Sequence, residues 1–294
     1  MKICVILALF ILISCSVKDT FILQSDYNAS RLIMFGTNKI ITPIGTREYE
    51  NVKIGLIDVG ITTHPNLNLV KLSNSLSNDI GHGTIVASII GSKSTPINPY
   101  KGLLPGAKIY AYNLNSYFST DDLIYAIQAM IDNDVDVISL SISSQKSSIS
   151  LEKIIKKAVT EGIIIVASAG NSGIEEKLYP SAYDIPEVIS VGSLDNNYNI
   201  SDFSTYNNNI DIFFTGEEIT AIGPNAGEIN EYSGSSVAVP FVTSLVALTI
   251  AVYPDETPSY IVNHLLSHTE SYMARWKKTS RAVKILNLNN LYKE

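Results

Sequence analysis

Apolar residues recur along the chain in short unbroken runs separated by amphipathic stretches. Val52–Ile57, Ala107–Tyr112, Val135–Ile142, Ile163–Ala167 and Val188–Val191 read as strands buried on both faces. Between them the apolar positions fall at helical spacing: Leu151, Ile154, Ile155, Ala158 and Val159 mark one stripe, and Leu123 to Ile131 another. Gly162 follows the first of these stripes as a C-terminal stop. Ile85–Ile90 and a longer stretch through Val252 read as buried helices. Strand and helix alternating in this way predict an α/β fold, a doubly wound parallel sheet with helices on both faces. In such a sheet, ligands and catalytic groups gather at the carboxyl ends of the strands.

The first residues follow a different rule. Met1-Lys2 precede an apolar run from Ile3 to Ile13, too short for a stable membrane span but suited to an export signal. The run closes in Leu12-Ile13-Ser14-Cys15, which resembles the bacterial lipobox. That resemblance implies cleavage before Cys15 and lipidation of its thiol, which would anchor the protein to the outer face of the cell membrane. An ordinary secretory signal with an incidental cysteine is the alternative. Cys4 and Cys15 are the only cysteines, and Cys4 lies inside the signal, so the processed chain would form no internal disulfide. Residues 1–14 are thus expected to be a signal, 15–51 a tether and arm, and 52–294 one domain without internal repeats. The 36 residues from Ser16 to Asn51 are too few to fold alone as a separate domain.

Composition narrows the functional classes. The 294 residues are 46% hydrophobic and 17% charged with a mean hydropathy of +0.17, which excludes a disordered or fibrous chain. A net charge of −7 removes general electrostatic support for nucleic-acid binding. Arg275, Lys277, Lys278, Arg281 and Lys284 form the one local basic cluster, read as a solvated surface, with anionic lipid a lesser option.

Four segments carry candidate chemistry. The strand Lys53-Ile54-Gly55-Leu56-Ile57 ends in Asp58, a residue that at a strand end is often only a cap or turn former. Gly81-His82-Gly83-Thr84 opens an apolar helix, and the flanking glycines suggest a histidine that substrate can approach closely. Ala167-Ser168-Ala169-Gly170-Asn171 places an amide just after a buried strand, and Gly234-Ser235-Ser236-Val237-Ala238-Val239-Pro240 opens the long helix.

In the order Asp, His, Asn, Ser these segments resemble the subtilisin-like serine proteases, from about Val52 to His268 and weakly through Val283–Leu291. The resemblance implies Ser236 as nucleophile, His82 as its base and Asp58 as the group that orients the base. It implies Asn171 as oxyanion donor beside the backbone N–H of Ser236. The Ser-Val-Ala-x-Pro frame places the nucleophile at Ser236, while Ser235 stands where the family usually has Thr. Pro240, inside a helix, is part of the same frame.

Substrate is expected as an extended peptide strand between Ser139–Ser144 and Asn113–Phe118, with Ser141, Ser143 and Asn115 lining it. Ser143 and Ser144 stand where the family tends to have glycine. Leu178, two residues before Pro180, is expected to floor the specificity pocket and favour an apolar side chain, although Glu175 and Glu176 keep basic specificity open. No cofactor is expected: calcium, held by many relatives after the catalytic histidine, would meet Gly91-Ser92-Lys93-Ser94-Thr95-Pro96, which has a lysine and no carboxylate. His64 resembles the turn after the family's aspartate. His264 and His268, four apart, could hold zinc, but Leu265 occupies the place of the glutamate in HExxH. The small disulfide-free form resembles lanthipeptide leader proteases. A general surface protease and a peptide-binding pseudoprotease are the rival readings.

Overall fold

A computed structural model describes residues 48–73, 81–288 and 291. Cys15, the signal at 1–14 and nearly all of the arm at 15–51 lie outside them. A short 3₁₀ turn, Glu48–Asn51, leads into seven parallel strands. These are β1 Ile54–Val59, β2 Asn68–Lys71, β3 Lys108–Leu114, β4 Val137–Leu140, β5 Ile164–Ser168, β6 Val188–Leu194 and β7 Ile212–Thr215, in the order β2-β3-β1-β4-β5-β6-β7. The chain moves outward from β1 to β3 on one side and to β4 on the other, so the carboxyl end of β1 lies at the switch in strand order, where open α/β sheets bind ligands.

Alternation along β1 explains the layers. Ile54 and Leu56 pack in one core with helices α1, His82–Gly91, and α4, Ser235–Val252; Ile57 points into the other with α2, Thr120–Asp132, and α3, Ile149–Thr160. Helix α2 begins with a reciprocal cap between Ser119 and Asp122, whose carboxyl stays more acidic than usual because it accepts from the Ser119 N–H and hydroxyl. Gly162, at φ +93°, ends the turn after α3 as the sequence predicts.

Helix α4 is apolar around its whole circumference. Its mean hydropathy of 2.0 over 18 residues would suit a membrane span, but 89% of that window is buried against the sheet and α1, so it is the central core helix. Pro240 lies within it. Having no N–H, Pro240 leaves the Ser236 carbonyl without its helical donor, and the Ser141 hydroxyl donates to that oxygen at 2.9 Å instead.

Helix α5, Pro258–Ser267, follows, and β10, Thr269–Trp276, pairs antiparallel with β11, Thr279–Leu286. A second hairpin pairs β8, Ile219–Ile222, with β9, Ile229–Tyr232. Both hairpins, β2 and β7 go beyond the strands read from sequence. The predicted Val135–Ile142 shortens to Val137–Leu140, because Asp136 turns its carboxylate to the Lys53 N–H and the chain past Ser141 leaves the sheet to bridge Tyr179 from Ser144.

Candidate active site

The carboxylate of Asp58 stands at the end of β1, 1% exposed, and its Oδ1 lies 2.7 Å from His82 Nδ1. The same oxygen accepts from the Val59 N–H at 2.7 Å. The negative charge of Asp58 raises the His82 pKa above 6.5, outweighing burial, which alone would lower it, and their hydrogen bond adds to the rise. With Nδ1 committed to Asp58, the partly exposed His82 ring has Nε2 left for chemistry.

The glycines beside His82 serve packing, which corrects the expectation that they open the site to substrate. A Cβ on Gly83 would lie 2.3 Å from Ile61 Cγ1 and 3.0 Å from Asp58 Cβ, so its absence lets α1 press against the end of β1 and bring His82 to Asp58. A Cβ on Gly81 would meet the Pro224 ring at 2.4 Å. Thr84 pins the same junction, donating to the Gly60 carbonyl and accepting from the Thr62 N–H.

Asn171 follows β5. Its Oδ1 accepts from the Ser235 N–H at 2.9 Å and the Ser235 hydroxyl at 2.7 Å. Because an N–H only donates, this orients the amide with Nδ2 on the opposite side. A Cβ placed on Gly234 would fall 3.3 Å from that Nδ2, 2.9 Å from Ser236 Oγ and 3.7 Å from the Ser236 nitrogen. The empty space over Gly234 is therefore bordered by a hydroxyl and two N–H donors, at the N-terminus of α4.

The expected substrate residues divide. Ser143 and Leu178 converge on Gly170: a Cβ there would lie 2.3 Å from Leu178 Cδ1, 3.0 Å from Ser143 Oγ and 3.1 Å from Thr205 Oγ1. Leu178 is buried. Thr205, which sequence reading missed, belongs with them, and its hydroxyl accepts from the Ser172 N–H. Ser141 spends its hydroxyl on the Ser236 carbonyl, so it supports the turn that carries Ser236 from within. Asn115 is exposed after β3 and lines, with Tyr112, Ser73 and Asp122, a cavity of about 320 Å³. Asn113 beside it is buried and accepts from the Ile61 N–H.

Other groups have internal work. Glu175 pairs with Arg281 at 3.1 Å, and Arg281 also lies over Tyr206 and Trp276. Lys277 Nζ donates to the Gly173 carbonyl. The reading of the basic cluster as merely solvated is thus corrected for these two residues, because the β10–β11 hairpin folds back on the segment after Asn171. His64 is buried, which lowers its pKa, with Nδ1 accepting from the Asn66 N–H. His264 Nε2 bonds the Leu291 carbonyl and His268 Nδ1 the His264 carbonyl. Among the described residues no group of three His, Cys, Asp or Glu could hold a metal. After α1 the loop converges on buried Asn66, whose Nδ2 donates to the carbonyls of Lys93 and Asn98 at 2.6 and 3.0 Å.

Comparison with known proteins adds to this geometry. The profile of the Subtilase family, peptidase S8, matches residues 49–291. The M-protease of Shouchella clausii is 31% identical over 223 residues, 73% of this chain; the match spans 58% of that relative's length. Among solved structures, the prenylagaramide maturation protease PagA superposes with a TM-score of 0.68 at 26% identity, covering 82% of this chain and 92% of that one. The nisin leader peptidase NisP from Lactococcus lactis superposes at 0.70 with 20% identity over 83% and 87% of the two chains, a likeness of fold.

Proposed function

Since the chain belongs to the Subtilase family, we propose that it is a serine endopeptidase acting through Asp58, His82 and Ser236. The observation that carries this reading is the 2.7 Å contact between a buried carboxylate and a partly exposed imidazole at the switch point of the sheet. In the reaction, the Ser236 hydroxyl attacks the scissile carbonyl and its proton passes to Nε2 of His82. Asp58 keeps the proton of His82 on Nδ1 and balances the imidazolium that forms. The oxyanion forms over Gly234, where Asn171 Nδ2 and the Ser236 N–H donate to it. The imidazolium then returns its proton to the leaving amine, and water repeats the sequence on the acyl-enzyme.

The substrate is a peptide held as an extended strand against Ser141–Ser144 and the segment around Asn115, with an apolar side chain over Leu178. A specialised target is the leader of an exported precursor peptide; the 26% identity to a maturation protease supports it. The Leu12-Ile13-Ser14-Cys15 sequence supports lipid anchoring at Cys15 on the outer face of the cell membrane. The test is fluorophosphonate labelling beside Ser236→Ala and His82→Ala controls, with the modified peptide found by mass spectrometry. Label on Ser236 that depends on His82 is expected; a folded protein that takes no label would move the assignment to peptide binding without cleavage.

A further inference from the structure

We infer that Ser168, a buried residue outside the catalytic set, is a positioning residue that sets the aim of the Asn171 amide through a one-way hydrogen-bond chain. This rests on the protease reading above. Ser168 is the last residue of β5 and is 3% exposed. Its Oγ lies 2.7 Å from Ser235 Oγ and accepts from the Gly170 N–H at 3.1 Å.

Proton direction along this chain follows from chemistry. A hydroxyl has one proton. That of Ser235 goes to Asn171 Oδ1, which as a carbonyl oxygen only accepts. The 2.7 Å contact between the two serines is then filled by the Ser168 proton. The sequence runs from the Gly170 N–H to Ser168, from Ser168 to Ser235, and from Ser235 to Asn171, with every proton assigned. Ser168 thus holds the oxyanion amide at two points: through Ser235 at its oxygen, and through Gly170, at φ +99°, in the backbone one residue before it.

A side chain that acts in this way touches neither substrate nor reacting atoms. Its removal would loosen Asn171 in the transition state more than in the bound ground state, so kcat falls while KM holds. Buried groups left without a partner cost on the scale that makes about a tenfold loss in kcat the expected result for Ser168→Ala.

The experiment is a double-mutant cycle on a fluorogenic peptide that the wild-type enzyme cleaves, with melting temperature followed for every variant. Ser168→Ala should lower kcat about tenfold at unchanged KM, Ser235→Ala should do the same, and Ser168→Ala should add almost nothing in an Asn171→Ala background. Equal loss from Ser168→Ala in both backgrounds, or a loss carried by KM or by unfolding, overturns the proposal and leaves Ser168 a core residue. Failure of the protease reading has a separate signature: cleavage that survives Ser236→Ala, or a wild-type protein that does not cleave.

Discussion

His82 Nδ1 and Asp58 Oδ1 lie 2.7 Å apart, and the carboxylate of that pair is 1% exposed while the ring is 28% exposed. The pair raises the pKa of His82, chiefly through the Asp58 charge, so kcat/KM should fall on acidification along a limb that starts above pH 6.5. Stability runs the other way. A raised folded pKa contributes stability in full below the unfolded value of 6.5 and loses it as pH climbs through the folded value. Activity should therefore appear over the interval in which this contribution fades. Asp58→Asn should cut kcat by about 10⁴ and move the acid limb to lower pH; a limb that stays in place would show that another group sets it.

The space over Gly234 yields a steric prediction. Asn171→Ala should cost about 10²–10³ in kcat with little change in KM. Gly234→Ala should silence the enzyme, because the added methyl would stand 2.9 Å from Ser236 Oγ and 3.3 Å from the Asn171 amide. Steady-state turnover of a fluorogenic peptide separates kcat from KM for the first and fluorophosphonate labelling rates measure the second, and a Gly234→Ala protein that labels at the wild-type rate would place the oxyanion elsewhere.

Cleavage after apolar side chains follows from Leu178 packed beneath Gly170 and from Glu175 already neutralised by Arg281. Profiling with a peptide library should show this preference, and Leu178→Ala should extend it to larger residues. Cleavage confined to Arg or Lys would contradict the assignment.

The loop after α1 is stitched by Asn66, whose amide serves two carbonyls while its oxygen accepts from Thr95. The melting temperature should be the same with and without EDTA. Asn66→Ala, which removes the donor to the Lys93 and Asn98 carbonyls, should destabilise the fold by about 1–3 kcal/mol. A large chelator-dependent fall in melting temperature would assign the loop's organisation to a cation.

For the anchor, Cys15→Ser should move the protein from the membrane fraction to the soluble fraction. Unchanged retention would require another attachment.

Legibility from sequence followed the strength of the periodic signal. The five strands read as apolar runs all appear, as do α2 and α3, because each buries a continuous surface that admits little else. The strand β2 was not legible: Asn68–Lys71 is a four-residue edge strand with an exposed residue at each end. The run Ile212-Phe213-Phe214 did carry a signal for β7, being short, aromatic and fully buried. The β10–β11 hairpin resembles a polar surface in sequence, since its outward positions hold Arg275, Lys278 and Lys284 and its anchors, Ala274 and Trp276, alternate with them.

Within the site, the residue types and the pairing of Asp58 with His82 were legible through the family resemblance, and the contacts that hold them in place were not. Asp58 and His82 are 24 positions apart, and the glycine that lets them meet touches Ile61, a contact no local pattern encodes. Ser141 reads as a strand residue facing substrate; its bond to Ser236 becomes intelligible only once Pro240 is seen to vacate that carbonyl. Thr205 reaches the Asn171 segment from a separate loop, and Ser168, inside the segment, turns to Ser235, with no sequence signal for either beyond their hydroxyls.

The grip of the C-terminal hairpin on the Asn171 segment has a consequence in time. Lys277 and Arg281 reach back more than a hundred residues to Gly173 and Glu175. A ribosome that has made Asp58, His82, Asn171 and Ser236 has still not supplied these two contacts to the segment after Asn171. Synthesis must pass residue 281 before both contacts can form, so part of the setting of the site waits on residues well beyond Ser236.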